Sequence, residues 1–259
     1  MAAWIETELK LGLPDARAWE AIRACLGPGS VVDQTNHFFS DAADRIRRSA
    51  IGVRLRAEEY RGPEADPALS FRLTVKGRAS APDGAPRGPD DRGGDLVARR
   101  IELETELTPA VFRESLRSGL LIRPWIDTWR AALRKQPEPG VADLLDDLAE
   151  AAGAAPLRRW GGFANRRERL ALQLEDDQGM LPITLELDRT ELPGGRVDYE
   201  IEVEDDGRCD PDLVRTRPAL LAWLERELGI VPFAVTSKLA RVEAILGRPG
   251  PRSSGRTAD

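Results

Sequence analysis

The chain has 259 residues, of which 41% are hydrophobic and 32% charged, which is enough apolar content for one large core or two small ones. Its 38 basic and 44 acidic side chains leave a net charge of −6, which disfavours a general affinity for nucleic acid. A single histidine, His37, excludes a histidine-rich zinc site and disfavours a Ser-His-Asp hydrolase, while Cys25 and Cys209 are too few for a disulfide framework.

No apolar run nears the roughly 20 residues of a bilayer span, so no membrane association is expected. The acidic start MAAWIETELK lacks the basic and apolar stretches of a secretory signal, and a cytoplasmic location is the expectation. Neither common glycine-rich phosphate loop is present, so any phosphate or metal chemistry falls to Asp, Glu, Lys and Arg.

The first expected strand is WIETELKLG, where Ile5, Leu9 and Leu11 alternate with Glu6, Glu8 and Lys10. LPDARAWEAIRACLGPG reads as a helix. Pro14 lies near its start, Trp19, Ile22 and Leu26 form a stripe, and Gly27-Pro28 ends it. VVDQTNHFFSD and IGVRLRAEEY are strands with a turn and the basic DRIRRSA between them, and LSFRLTVKG is the next strand. Residues 80–95, rich in Pro, Gly and Asp, read as a flexible loop before the strand LVARRIELETEL.

Thr108-Pro109 supplies an N-cap and a first-turn proline for AVFRESLRSG. RPWIDTWRAALRK and VADLLDDLAEAAG complete a helical segment over 108–152. Strands resume with GGFANRRERLALQLED, LPITLELDRTEL and RVDYEIEVED. Asp210-Pro211 opens a long helix through Leu228, and Thr236 is the expected cap of a last helix, SKLARVEAILG. Residues 249–259 read as a disordered tail, leaving one domain over 1–248.

The faces opposite the aliphatics carry Glu6, Glu8 and Lys10; Arg54 and Arg56; Arg72 and Lys76; Arg100, Glu102 and Glu104; Arg167 and Arg169; Glu186 and Asp188; Glu200, Glu202 and Glu204. One such strand is most simply a solvated face. Repeated E-x-E and R-x-R on strand after strand is different, because like charges two residues apart repel unless an opposite charge lies between them. Carboxylates without His or Cys suit the hard ions Mg2+ or Mn2+, and Arg and Lys suit phosphate oxygens. A closed barrel with these faces inward would hold a metal-bound polyphosphate, the aliphatic faces being covered by helices.

These residues resemble the CYTH family, the triphosphate tunnel metalloenzymes. ETELK matches the family's E-x-E-x-K opening, and the likeness continues in order through QTNHFF, GVRLR, LTVK, RRIELE, GGFANRRERL, LELDRT, YEIEVE and SKLARV, over residues 4–246. The resemblance implies an α+β fold: a closed eight-stranded antiparallel β-barrel, the triphosphate tunnel, flanked by helices. It implies that Glu6 and Glu8 hold metal with Glu200 and Glu202, and that Glu102 and Glu104 assist a second ion. It also implies that Lys10, Arg54, Arg56, Lys76, Arg167 and Lys238 contact the triphosphate. Asp188 would hold a metal's water or orient the attacking one, its alternative being a cap at the strand end. Lys238 stands in the first turn of a helix, where the dipole disfavours a cation unless a phosphate is near.

The implied activity is metal-dependent hydrolysis of inorganic tripolyphosphate or another triphosphate, by in-line attack of water, in a monomer or homodimer. The alternatives are a thiamine triphosphatase, an adenylate cyclase, or a non-catalytic polyphosphate or nucleotide sensor. No adenine-reading motif is evident, and Trp4, Trp125, Trp129 and Trp160 are expected in the core or at the barrel rim rather than stacked on thiamine. The 80–95 loop and the 108–152 helices depart from the family pattern and would gate one mouth.

Overall fold

A computed structural model of the chain describes residues 2–61, 68–78, 97–133, 140–204 and 210–247. The strands are β1 (Ala2–Leu13), β2 (Ser30–Ser40), β3 (Gly52–Arg61), β4 (Ala68–Arg78), β5 (Val97–Glu106), β6 (Arg158–Asp176), β7 (Gly179–Glu191) and β8 (Val197–Glu204). They form one closed barrel in the order β1-β5-β4-β3-β2-β6-β7-β8. Closure depends on β1, whose N-terminal part pairs antiparallel with β5 and whose C-terminal part pairs antiparallel with β8. The expected antiparallel barrel is therefore observed.

Side chains alternate across each strand, so one face of every strand points into the lumen and the other outward. Outward aliphatics form two cores. Val53, Leu55, Leu73, Val75, Ile101 and Leu103 pack under α3 (Pro109–Ser118), α4 (Arg123–Leu133) and α5 (Val141–Ala152). Leu9, Leu11, Leu172, Leu185, Leu187 and Ile201 pack under α1 (Ala16–Leu26) and α6 (Asp210–Leu228). Trp129 is fully enclosed in the first core, and His37 faces outward with its ring 6.1 Å from that of Phe112 on α3. Among the described residues no helix is long and apolar enough to cross a membrane.

The last helix, α7 (Lys238–Leu246), lies across one mouth of the barrel. Val242 is enclosed against Phe38, Phe163 and Leu192, and Leu239 packs beside them. Outside it, Arg47 stacks on Trp160 at 3.9 Å and pairs with Glu243 at 3.3 Å. One local reading is corrected here and one is extended. The cap of α7 is Ser237 rather than Thr236, because the Ser237 hydroxyl accepts the Ala240 N–H at 3.2 Å. The basic DRIRRSA stretch, to which the sequence reading gives no element, holds a one-turn helix, α2 (Arg45–Arg48). The 80–95 loop and the 249–259 tail lie outside the described residues.

Asp41 organises that short helix. Its carboxylate accepts the N–H groups of Ala43 and Ile46, each at 3.1 Å, and the Arg45 guanidinium at 3.1 Å. Burial pushes the group up, but these donors outweigh it and hold it below the usual aspartate value. Asp41→Ala is expected to cost about 1–2 kcal/mol at neutral pH. A group depressed in the folded state stabilises above its unfolded value and loses that effect as pH falls through the folded one. Urea melts at pH 7 and pH 3 should therefore show the deficit shrinking in acid.

Candidate active site in the barrel lumen

The register of the strands assembles the charged residues around the lumen. On β1, Glu6 stands opposite Arg100 of β5 and Lys10 opposite Glu202 of β8. Continuing around, Glu202 faces Glu186 and Glu200 faces Asp188 on β7, and Asp188 faces Arg167 on β6. On the other side Arg56 of β3 lies between Asn36 of β2 and Arg72 of β4, and Lys76 of β4 faces Glu102 of β5. Every residue expected to bind metal or triphosphate lies on this inner wall or reaches it from α7.

The inner wall carries several clusters of ion pairs. Lys10 contacts Glu202 at 2.8 Å and Glu8 at 3.1 Å, while Lys76 contacts Glu6 at 2.6 Å and Glu102 at 2.7 Å. Arg167 grips Asp188 through two bonds of 2.8 and 2.7 Å and also touches Glu186, Glu202 and Glu204. From α7, Lys238 meets Asp188 at 2.8 Å, Glu202 at 2.7 Å and also Glu200. Arg241 joins Asp198 at 2.7 Å and Glu200. Towards the other end of the strands, Arg72 bridges Glu58 at 3.1 Å and Glu104 at 2.6 Å, and the Tyr60 hydroxyl donates to Glu58.

Among the described residues, three groups of carboxylates bring one oxygen each within 4.8 Å of the others: Glu6 with Glu8 and Glu204; Glu186 with Glu202 and Glu204; Asp188 with Glu200 and Glu202. A set of oxygens alone fits a hard divalent cation of the Mg2+ or Mn2+ kind. The groups differ in what already neutralises them. Lys238 touches all three members of the Asp188 group, and Arg167 touches all three of the Glu186 group. In the Glu6 group, Lys76 and Lys10 each hold one member from the side, and among the described residues Glu204 has only Arg167, at 3.4 Å. Glu204 also keeps 38% of its side chain in water, leaving a way in.

Protonation follows the same division. Burial pushes Glu8 up, but the Lys10 and Lys76 charges outweigh it and hold the carboxyl well below its usual range. Asp188 is likewise driven far down, against burial, by Arg167 and Lys238. Glu6 goes the other way: burial and the Glu8 and Glu102 carboxylates outweigh Lys76 and raise it. Glu204 rises for the same kind of reason, through burial and then Glu186, with Glu202 and Glu6 adding to it. The cation deficit of the lumen therefore falls at Glu6 and Glu204, where burial and neighbouring carboxylates favour the protonated form. On the basic side, Arg54 is lowered to about 10 by burial and by Arg56, and remains a cation at neutral pH.

The structure brings Glu6 and Glu8 together with Glu204, and Glu200 and Glu202 together with Asp188. Asp188 is fully buried in mid-strand, β7 running on to Glu191, so it caps no turn. Glu102 and Glu104 sit beside Arg54, Lys76 and Arg72 rather than in a carboxylate group. Glu186 and Glu204 are legible only as strand alternation, Glu186 preceding Asp188 and Glu204 following the Glu200/Glu202 pair. Arg241 was not singled out. Its spacing of three from Lys238 puts both on one helix face, which is the signal that finds it.

No protein-family model matches the chain, and no curated protein sequence does. Solved structures do. HpAC1 from Hippeastrum, an adenylyl cyclase candidate described as having a dominant triphosphatase activity, is 24% identical, with a TM-score of 0.59 over 92% of this chain and 95% of that one. The chain shares its fold. A Bacillus halodurans protein described as an adenylate cyclase candidate is 21% identical, with a TM-score of 0.55 over 93% of this chain and 98% of that one. These likenesses support, at the level of the fold, the CYTH resemblance carried by the strand motifs.

Proposed function

We propose that the chain is a CYTH-type triphosphatase that hydrolyses inorganic tripolyphosphate to pyrophosphate and phosphate inside the barrel with a divalent metal ion. The observation that carries this is the ion-lined lumen, in which a carboxylate group short of cations, Glu6 with Glu8 and Glu204, lies beside the bases Lys10 and Lys76. Burying so many charges is costly without a ligand of both signs to organise them, and a metal–triphosphate is such a ligand. The triphosphatase activity described for HpAC1 points the same way.

Lys10, Arg54, Arg56, Lys76, Arg167 and Lys238 bind the phosphate chain, exchanging their present carboxylate partners for phosphate oxygens. Glu6, Glu8 and Glu204 would hold an Mg2+ or Mn2+ ion, which would supply charge neutralisation for the phosphate chain. When Arg167 and Lys238 turn to phosphate, Asp188 is freed to accept a hydrogen bond from the attacking water and set its direction. The water oxygen bonds to the terminal phosphorus as the bridging P–O bond breaks, pyrophosphate leaves with the electron pair, and the proton lost by the water passes by way of Asp188 to solvent. Basic residues on the leaving side stabilise its charge. The shared description of both structural neighbours favours a second reading, adenylate cyclase, in which the same cations hold ATP.

Products separate the readings. With Mg2+ or Mn2+, the chain is expected to release phosphate and pyrophosphate from tripolyphosphate, with a higher kcat/KM than for ATP or thiamine triphosphate. Cyclic AMP as the main product from ATP would replace the hydrolase by the cyclase. Tight binding of tripolyphosphate with no turnover of any of the three would leave a sensor.

A further inference from the structure

Asn36, on β2, belongs to the QTNHFF stretch and has no role in the reading above, yet it is almost wholly enclosed, with 1% of its surface exposed. Its wall is lined by neutral side chains joined in a directed chain. The Thr190 hydroxyl donates to Asn165 Oδ1 at 2.8 Å, Asn165 Nδ2 donates to Gln34 Oε1 at 3.1 Å, and Gln34 Nε2 donates to Glu58 Oε1 at 3.0 Å. Asn36 is outside that chain. Its Oδ1 accepts from Arg56 Nε at 3.1 Å, and Arg56 Nη1 is tied to Glu58 at 3.0 Å. Because the guanidinium can only donate, it fixes which end of the amide is oxygen and turns the amino group away from Arg56.

That amino group, Nδ2, has no hydrogen-bond partner among the described residues. A second orphan donor lies on the same face: the Nε of Arg54, diagonal to Asn36 across the β2–β3 ladder, since Asn36 pairs with Arg56 and Phe38 with Arg54. Arg54 is also the least neutralised of the lumen arginines on β3, with Thr74 at 3.4 Å and Glu102 at 3.8 Å as its contacts. A buried donor left unmade costs stability unless a ligand completes it.

We infer that Asn36 is a triphosphate-binding residue whose Nδ2 donates to a phosphoryl oxygen held jointly with Arg54. An amide suits this position because a third cation beside Arg54 and Arg56 would repel both, whereas an amide donates without charge. The inference rests on the triphosphate reading of the lumen. It adds a neutral donor that accepts an oxygen acceptor and rejects any group that is itself a donor there.

Asn36→Asp keeps the shape and the acceptor for Arg56 but replaces the donor by an anion. Asn36→Ala removes both. Tripolyphosphate binding by calorimetry with Mg2+, phosphate release and thermal melting would be compared with the unaltered chain. Asn36→Ala is expected to weaken binding about tenfold or more, and Asn36→Asp, which keeps the acceptor for Arg56, about a hundredfold or more with a melting temperature no lower than the parent's. Parental binding and kcat/KM in both variants would overturn the inference while leaving the triphosphatase standing, as would losses that merely track a lowered melting temperature. A parent chain that neither binds nor hydrolyses tripolyphosphate would remove the reading beneath it and the inference together.

Discussion

Glu8→Gln is expected to leave the barrel folded and to lower metal-dependent phosphate release by about a thousandfold, since losing several kcal/mol of charge stabilisation costs a factor of ten for each ~1.4 kcal/mol. Glutamine keeps the volume and one carbonyl oxygen but removes the charge that a divalent ion requires. Among the described residues the Glu8 carboxylate has one ion-pair partner, Lys10 at 3.1 Å, and Lys10 retains Glu202 at 2.8 Å. The substitution therefore strands no buried cation, and its structural cost is small beside its catalytic one. Phosphate release over a Mg2+ or Mn2+ series, with melting curves in parallel, checks both halves. Parental activity in Glu8→Gln would remove Glu8 from the metal group.

Arg167→Leu has the opposite balance. The guanidinium is enclosed and contacts Glu186, Asp188, Glu202 and Glu204, and these partners hold it charged, well above the usual arginine value despite burial. Removing it takes away the one cation that all four carboxylates share among the described residues, while Lys238 stays with Asp188 and Glu202 and Arg169 with Glu186. Breaking a buried pair by deleting one partner costs about 3–5 kcal/mol, and that range is the expectation here. A second effect identifies the cause as charge rather than packing. Mn2+ or Mg2+ should raise the melting temperature of Arg167→Leu more than that of the parent, because the metal replaces the lost cation and binds the folded state alone. Equal shifts in the two proteins would show that the four carboxylates do not act as one anionic cluster.

Much of this was legible in the chain because a barrel translates alternation directly into inside and outside. The E-x-E and R-x-R runs had no plausible meaning on a wet face, and their aliphatic partners needed a second layer, which the intervening helices provide. Strand order followed from neither. β1 lies between β5 and β8, a closure set by register across distant strands, and it decides that Glu8 faces Glu204 while Lys10 faces Glu202. For that reason the metal-group partners of Glu6 and Glu8 could not be read from spacing. Asn36 was hidden for another reason. An amide on a strand face carries no charge signal, and only the absence of a partner for its Nδ2 distinguishes it from Gln34 and Asn165.

The most direct test of the lumen as the reaction chamber is anomalous diffraction at the manganese edge from crystals grown with Mn2+ and a non-hydrolysable imidotriphosphate. The account predicts a manganese peak among Glu6, Glu8 and Glu204, with phosphorus density running past Lys76, Arg54 and Asn36 towards Asp188 and Lys238. Manganese and triphosphate bound on the outer surface, with the lumen ion pairs of Lys76 and Lys238 unchanged, would contradict it.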